Sequence, residues 1–131
     1  MDPEVGRAYM LAGVLPSGTD RYIALFLGDP SGSGNEISIP GYARVGHQSW
    51  VTASTVGSST RSNASDIVFA TITGLGSADY WAIYDASTLG NLLRYGLITD
   101  LIGTPTPVVF GGLGDDLTLP IGALYLTLTD V

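Results

Sequence analysis

His47 is the single histidine of the chain and the side chain that changes charge near neutral pH without help from its surroundings. A Ser–His–Asp nucleophile would need it. Serine and aspartate are so common here that their presence carries no information, and no G-x-S-x-G turn exposes a nucleophilic serine. We therefore predict no catalytic residue and expect His47 to be packed at the surface or in a loop, between Arg44 and Trp50.

Two pairs of carboxylates are candidates for metal binding or acid–base catalysis, and neither has the spacing that this chemistry needs. Asp115 and Asp116 offer oxygen ligands for calcium, but the D-x-D-x-D-G spacing of a calcium loop is missing. Asp79 and Asp85 are six residues apart. In an extended strand this is roughly 20 Å, too far for two carboxylates that act on one glycosidic bond. We predict no metal site and no enzymatic activity.

Missing residue types exclude further chemistry. The chain has no cysteine, which removes disulfides, thiolate nucleophiles and zinc–cysteine sites. It also has no lysine, so a P-loop lysine and a Schiff base are absent. The glycine-rich stretch 28–34 lacks the G-x-G-x-x-G spacing at the start of a helix, so we expect a mobile loop and no bound cofactor.

Charge and hydropathy exclude two classes of partner. Twelve acidic residues and five arginines give a net charge of −7, and an acidic chain has little electrostatic attraction for nucleic acid or anionic lipid. No apolar run approaches the 18 residues of a membrane span. The N-terminus does not have the pattern of a signal peptide. We predict partners that are neither nucleic acid nor membrane.

Aromatic residues cluster on one predicted hairpin, which joins segments 78–85 and 91–98 through a five-residue loop. They are Tyr80, Trp81, Tyr84 and Tyr95. A carbohydrate-binding face has this composition, and so does ordinary core or subunit packing, because aromatic residues favour strands. We favour core or interface, with a sugar site on Tyr80, Trp81 and Tyr84 as the alternative.

The elements that must position these residues are short strands after one helix. Proline and acidic residues followed by an i, i+3, i+4, i+7 apolar pattern predict a helix over Pro3–Leu15. Beyond Arg21, about seven to nine short strands at spacings of 8–15 residues predict a mainly β chain. The fold expected is a single antiparallel sandwich or barrel-like domain. The predicted division is an N-terminal helix and arm at 1–18 and the β domain at 19–131.

Three segments carry specific structural expectations. Tyr22–Leu27 is continuously apolar, as in a strand covered on both faces, and Asp66–Thr73 alternates with apolar residues on both faces, as in a central strand. Gly57–Ser65 is polar without a period and is predicted to be a loop; its Asn63-Ala64-Ser65 sequon matters only in a secreted protein. The expected core residues are Ile23, Leu25, Trp50, Val68, Phe69, Ile83, Leu92, Leu124 and Leu126.

Short strand and turn motifs follow one another in a characteristic order from Tyr22 onward. The motifs are Ala24-Leu25-Phe26 with Asp29-Pro30, Glu36 to Gly41-Tyr42-Ala43-Arg44, Trp81-Ala82-Ile83-Tyr84-Asp85-Ala86, Gly90-Asn91-Leu92-Leu93, Tyr95-Gly96 and Gly122-Ala123-Leu124. This series resembles a family of small tailed-bacteriophage virion proteins, commonly labelled tail-fibre-like or structural. The N-terminal helix is shorter than usual for that family, and the segment Thr104–Val108 carries two prolines.

The resemblance implies a non-enzymatic virion component that is assembled in the host cytoplasm. We expect a capsid cement or decoration protein that forms a homo-oligomer and binds the major capsid protein, because a compact domain without heptads or repeats cannot form a fibre shaft alone. A tail, baseplate or fibre-attachment component, which would bind tail proteins, is the alternative within the virion. A carbohydrate-binding module is the alternative from another class.

The predicted interaction surface has two parts. The helix offers Tyr9, Met10 and Leu11 as contact residues. Arg7 and Arg21 flank the helix, and their charges would contribute more to the orientation of a partner than to its affinity. The segment Thr104–Phe110 offers Pro105 and Pro107, which reduce the entropy lost on docking. Deletion of Met1–Val14 is expected to leave a folded β domain that no longer enters particles.

Overall fold

The computed structural model describes residues 10–100 and 104–129. The mainly β prediction is confirmed: this part of the chain forms twelve strands in several antiparallel sheets and one short N-terminal helix. The helix, α1, is described over residues 10–14. The strands are β1 Arg21–Leu27, β2 Asn35–Glu36, β3 Val45–His47, β4 Trp50–Thr55, β5 Ser58–Asn63, β6 Ile67–Ile72, β7 Leu75–Ala78, β8 Tyr80–Tyr84, β9 Leu92–Leu97, β10 Val108–Gly111, β11 Asp115–Leu119 and β12 Tyr125–Thr129.

The chain divides into two compact units. The first comprises Met1–Asp20, His47–Ile67 and Leu119–Val131, and the second comprises Arg21–Gly46 and Val68–Thr118. The predicted division after residue 18 stays a prediction. No helix in the described segments has the length and apolar character needed to cross a membrane.

The second unit is built on a five-stranded sheet of order β2-β1-β8-β9, with β3 also paired to β1. Four consecutive residues of β1, from Ile23 to Phe26, are buried, so the prediction of a strand covered on both faces is confirmed. The predicted hairpin is confirmed as the antiparallel pair β8–β9, in which Tyr80 lies opposite Leu97 and Trp81 opposite Gly96. A Cβ on Gly96 would lie 2.6 Å from the Trp81 ring, so the tryptophan packs there because its partner has no side chain.

The first unit contains the sheet β12-β5-β4, and here one prediction is wrong. The predicted loop Gly57–Ser65 contains β5, the central strand of this sheet. Its side chains alternate in burial, with Ser59, Arg61 and Asn63 inside. Hydrogen bonds satisfy the polar interior of this strand, whereas hydropathy patterning detects a strand only when its inward residues are apolar.

The predicted central strand at 66–73 is also corrected. Val68, expected in the core, is 44% exposed, and within the described residues β6 pairs with β11 alone. Thr71 has a left-handed φ of 55°, which inserts one extra exposed residue between the buried Phe69 and Ile72. The alternation of buried and exposed residues is therefore broken at this point of β6, and its apolar residues do not require two covered faces.

The remaining core predictions fall into two groups. Ile23, Leu25, Trp50, Phe69, Ile83 and Leu124 are buried, as predicted. Leu92 and Leu126 are half-buried. In α1 and directly after it, Leu11 and Leu15 are fully buried, so this helix contributes to the interior of the first unit.

Candidate functional site

The antiparallel ribbon of β7 and β10 has apolar residues on both faces. Phe110 and Ala78 lie on one face and are buried, whereas Leu75 and Val109 lie on the other and are 73% and 75% exposed. Gly111 pairs with Leu75 and Val109 pairs with Ser77, so Leu75 and Val109 are diagonal neighbours on the exposed face.

The loop after β10 adds a third apolar side chain. Leu113 is 90% exposed and stands between Gly112 and Gly114, whose φ angles are +80° and +79°. The Gly111 N–H donates to Oδ2 of Asp115 across 2.7 Å and closes the loop. A Cβ on Gly112 would lie 3.0 Å from Cδ2 of Leu75, so the loop lies against the ribbon. We call Leu75, Val109 and Leu113 the apolar ribbon face.

The two strands of the apolar ribbon face carry no charged residue of their own, and the carboxylate of Asp115 lies at the Gly111 end of the ribbon. No charged residue occurs between Asp66 and Asp79 or between Asp100 and Asp115, the two runs that contain β7 and β10. Exposed contiguous apolar surface on a soluble protein marks a site of interaction. This face is therefore the best candidate for a docking surface in the described structure.

Aliphatic residues also occupy three other turn tips. Each tip residue is followed by a glycine with positive φ. The four pairs, with the exposure of the first residue, are Val56-Gly57 (97%), Leu89-Gly90 (86%), Leu113-Gly114 (90%) and Ile121-Gly122 (66%). Turns normally carry polar residues. The aliphatic–glycine pairs between strands are a sequence signal for such tips that our sequence reasoning missed.

The interface candidates on the N-terminal helix differ in their exposure. Met10 is 57% exposed and Leu11 is fully buried. The burial of Leu11 assigns it to the core of its own unit and not to a contact surface. Tyr9 and Arg7 lie outside the described residues.

Arg21 and the prolines are placed in the second unit. Asp85 accepts hydrogen bonds from the backbone and side chain of Asn91, and these bonds and then the charge of Arg21 hold the pKa of that carboxyl below its usual range.

Pro105 and Pro107 are exposed. The N–H of Thr106 between them donates to the carbonyl of Ile98 across 2.8 Å, so the segment is fastened just beyond β9 as it enters β10.

His47 was expected at the surface or in a loop, but it is buried at the end of strand β3. It is 8% exposed, and its Nε2 lies 2.7 Å from the carbonyl oxygen of Ser49, which accepts a hydrogen bond from it. The edge of its ring contacts the Trp50 ring at a centroid distance of 4.9 Å. These contacts use the imidazole to hold the start of β4.

The four candidate carboxylates each accept a hydrogen bond from a backbone N–H. The acceptor–donor pairs are Asp79–Gly28 (2.8 Å), Asp85–Asn91 (2.7 Å), Asp115–Gly111 (2.7 Å) and Asp116–Thr71 (2.7 Å). Residues 10–100 and 104–129 contain no group of three or more His, Asp or Glu side chains that could hold a metal ion. The carboxylates therefore act as backbone acceptors that fix loops and bulges.

A partly buried ion pair links Glu36 to Arg44. Nε and Nη2 of Arg44 donate to the two carboxylate oxygens across 3.0 and 2.8 Å, and the Tyr42 hydroxyl donates to Oε2 across 2.5 Å. Burial raises the pKa of Glu36, but the hydrogen bonds of Arg44 and Tyr42 outweigh burial and hold it below its usual range. Burial and the bond to Glu36 raise the pKa of Tyr42.

Arg44 also fixes the loop between β8 and β9. Its Nη1 donates to the carbonyls of Ala86 and Leu89 across 3.0 and 2.8 Å, and its Cζ lies 3.9 Å above the Tyr84 ring. Arg44 and Leu89, together with Glu36 and Tyr42, are among the residues that line an open groove of about 400 Å³. The hydrogen bonds of Arg44 hold the turn that carries Leu89. Because the positive charge of Arg44 is already paired with the carboxylate of Glu36, little of that charge is left to attract a ligand.

The aromatic cluster is packed in part within the second unit. Trp81, the residue on which the alternative most depends, is 4% exposed. Tyr84 stacks on Phe26 at 6.2 Å, and the Tyr80 and Tyr95 rings are inclined at 52° to each other. A pyranose ring stacks on an exposed flat surface, so the packing favours core over carbohydrate binding.

The family model described as Podophage GP4 fiber I protein gp80 matches residues 8–127. The chain belongs to this family. The resemblance to phage tail-fibre-like proteins is thereby confirmed. As a member of the podophage GP4 fiber I protein gp80 family, it is a phage structural protein of the fibre type and part of the virion. The comparison with curated proteins finds no match.

Proposed function

We propose that this protein is a structural component of a phage tail fibre that acts through protein–protein contacts and not through catalysis. The observation that carries the proposal is the family match over residues 8–127. The apolar ribbon face supports it, because a fibre component needs a surface on which another protein can dock.

The proposed mechanism is rigid presentation of apolar side chains. Short loops closed by carboxylate–backbone bonds, such as Asp115 to Gly111, hold the apolar tips in place. A preorganised contact loses little conformational entropy on assembly. Partners are other virion proteins, tail proteins first among them, together with further copies of this chain.

The capsid cement interpretation has one observation in its favour. The described residues show short strands and no long helix, and a chain of this kind does not form a coiled-coil shaft by itself. A fibre component of this size would therefore work as a knob, collar or adaptor joined to other proteins. The fibre proposal explains the family match directly, and cement does not.

Copy number and position in the virion test the proposal. Purified particles are digested and the chain is quantified against the major capsid protein by mass spectrometry, and a particle reconstruction locates its density. We expect a few to some dozens of copies at the tail. Hundreds of copies spread over the capsid would contradict the fibre assignment and support cement.

A further inference from the structure

The loop between β1 and β2 contains the Asp29–Pro30 peptide bond in a tightly closed turn. The backbone N–H groups of Gly32 and Gly34 both donate to the carbonyl oxygen of Asp29, across 3.1 and 2.9 Å. The two ends of the loop touch each other, because a Cβ on Gly34 would clash with the backbone carbonyl of Gly28. The carbonyl group of this peptide bond is therefore held by two fixed donors.

Ser31 fixes the carboxylate of Asp29 in the same turn. The Ser31 hydroxyl and the Ser31 N–H donate to Oδ1 of Asp29 across 2.6 and 2.8 Å, and these bonds hold the pKa of that carboxyl below its usual range. The Tyr95 hydroxyl lies 3.1 Å from the Ser31 hydroxyl, which ties the turn to β9. Among the described residues, the hydrogen bonds to this carboxylate end on Oδ1, so Oδ2 is the oxygen free to react.

Three requirements for breaking a peptide bond meet at this position. The carboxylate of an aspartate can attack its own main-chain carbonyl carbon, because the product is a five-membered cyclic anhydride and the reaction is intramolecular. The negative charge that develops on the carbonyl oxygen is stabilised by the N–H groups of Gly32 and Gly34, which lie at the distances of an oxyanion hole. The leaving group is proline, whose tertiary amide nitrogen departs as a basic secondary amine.

We propose that the chain cleaves itself at the Asp29–Pro30 bond in mildly acidic solution. Oδ2 of Asp29 forms a bond to the carbonyl carbon, and the C–N bond to Pro30 breaks as the proline nitrogen takes a proton from the solvent. Water then opens the anhydride and leaves Asp29 with its side-chain carboxylate and a new α-carboxylate. The reaction consumes one water molecule for each bond that is broken. It is a single event within the chain and not turnover of a substrate, so it goes beyond the proposed function.

The cleaved protein would keep the sheet of the second unit. The products are residues 1–29 and 30–131, and β1 in the first product remains paired with β8 in the second. Residues Ile23 to Phe26 of β1 are buried, which holds the two products together. Residues 31–33 are exposed, so water and protons reach the turn, and cleavage places a new N-terminal proline at its surface.

The test compares the folded chain with the unfolded chain. The full chain is incubated at about pH 5, where carboxyl groups of ordinary pKa are still ionised, in buffer and in guanidinium chloride. Mass spectrometry follows the products 1–29 and 30–131 with time. In the unfolded chain the second such bond, Asp2–Pro3, gives the rate of an unassisted Asp–Pro bond. We expect Asp29–Pro30 to break about tenfold or more faster in the folded chain, because two oxyanion donors are fixed there.

Variants separate the nucleophile from the donors. Asp29→Asn keeps an oxygen acceptor for Ser31 but removes the carboxylate, so cleavage at this bond should disappear. Gly32→Pro removes one N–H donor and should slow cleavage by about tenfold or more. Ser33→Pro is the matched control, because it adds a proline at the next position, where none of the described hydrogen bonds uses the N–H, and it should leave the rate unchanged. Circular dichroism verifies that each variant is folded.

Three results would each overturn the inference. The first is a folded chain that breaks at Asp29–Pro30 no faster than the unfolded chain. The second is formation of the same two products by the Asp29→Asn variant, which would mean that another nucleophile or a protease cuts the bond. The third is equal slowing in the Gly32→Pro and Ser33→Pro variants, which would mean that the Gly32 N–H has no part in the reaction.

Discussion

Arg61 donates its Nε–H to the main-chain carbonyl of Leu15 across 2.5 Å, so a buried guanidinium on β5 binds the residue that follows α1. The same side chain donates to the hydroxyls of Thr52 and Ser17 across 3.0 and 3.2 Å. Burial lowers the pKa of Arg61. Two features offset this cost of burial. The helix dipole favours a cation at the C-terminal end of α1, and the three oxygen atoms that accept hydrogen bonds from Arg61 replace the water that its guanidinium has lost.

Replacing Arg61 should destabilise the protein far more than replacing an exposed arginine. Arg61→Ala leaves the Leu15 carbonyl without its donor and opens a cavity, so we expect the free energy of unfolding to fall by about 2–4 kcal/mol. Arg94→Ala on the exposed side of β9 is the matched control and should cost no more than about 0.5 kcal/mol. Urea denaturation measures both. Equal losses would mean that Arg61 has no special structural role.

The polar β5 strand shows where reasoning from sequence reaches its limit. The apolar strand β1 and the hairpin β8–β9 were predictable because their burial follows from hydropathy. Asn63 can be fully buried because its amide donates to the carbonyls of Ser65 and Pro120, and no local pattern reveals an acceptor 57 residues away. Because the Asn63 side chain is fully buried, the sequon at Asn63 is inaccessible in the folded chain.

The apolar ribbon face was predictable only in part. Pro105 and Pro107, which were predicted as interface residues, are exposed, and their segment leads to Val109. Leu75 joins Val109 through the pairing of β7 with β10, a long-range contact that the sequence does not display. The left-handed conformation of Thr71 is likewise supported from a distance, because its N–H donates to Asp116, a residue of β11 that is remote in sequence.

Acid should weaken the protein through Glu36. Its folded pKa lies below the usual range of a glutamate, so the stabilisation from ionised Glu36 is fully present above the unfolded pKa and is lost as the pH falls through the folded pKa. We expect the free energy of unfolding to decline below about pH 4.5. Glu36→Gln should be less stable at pH 7 by about 1–3 kcal/mol and should decline less steeply in acid. A variant curve parallel to that of the wild type would show that another carboxyl is responsible.

Close approach at Gly41 gives a prediction that separates sterics from backbone conformation. Gly41 and Gly57 both have positive φ, at +86° and +82°. A Cβ on Gly41 would lie 2.3 Å from the carbonyl oxygen of Thr71, whereas one on Gly57 would meet nothing within 4 Å. Gly57→Ala should cost about 1 kcal/mol, and Gly41→Ala should cost at least about 2 kcal/mol more, because the backbone must move. Thermal unfolding of the two variants tests this, and similar melting temperatures would contradict the close approach.

The burial of Leu11 changes how the N-terminal helix should be tested. Deletion of Met1–Val14 removes a core side chain, so a failure of the shortened chain to enter particles would not identify a contact. Leu11→Ala should lower the free energy of unfolding by about 2–5 kcal/mol. Met10→Ser alters its neighbour, which is 57% exposed, and should change stability by no more than about 0.5 kcal/mol.

Particle incorporation of the Met10→Ser variant therefore reports on docking alone. If the exposed side of α1 contacts another virion protein, particles grown with this variant should contain fewer copies of the chain than wild-type particles, although its folding is unchanged. Quantitative mass spectrometry of purified particles provides the measurement. Normal copy number for Met10→Ser would assign α1 to folding through Leu11 and leave the apolar ribbon face as the contact surface.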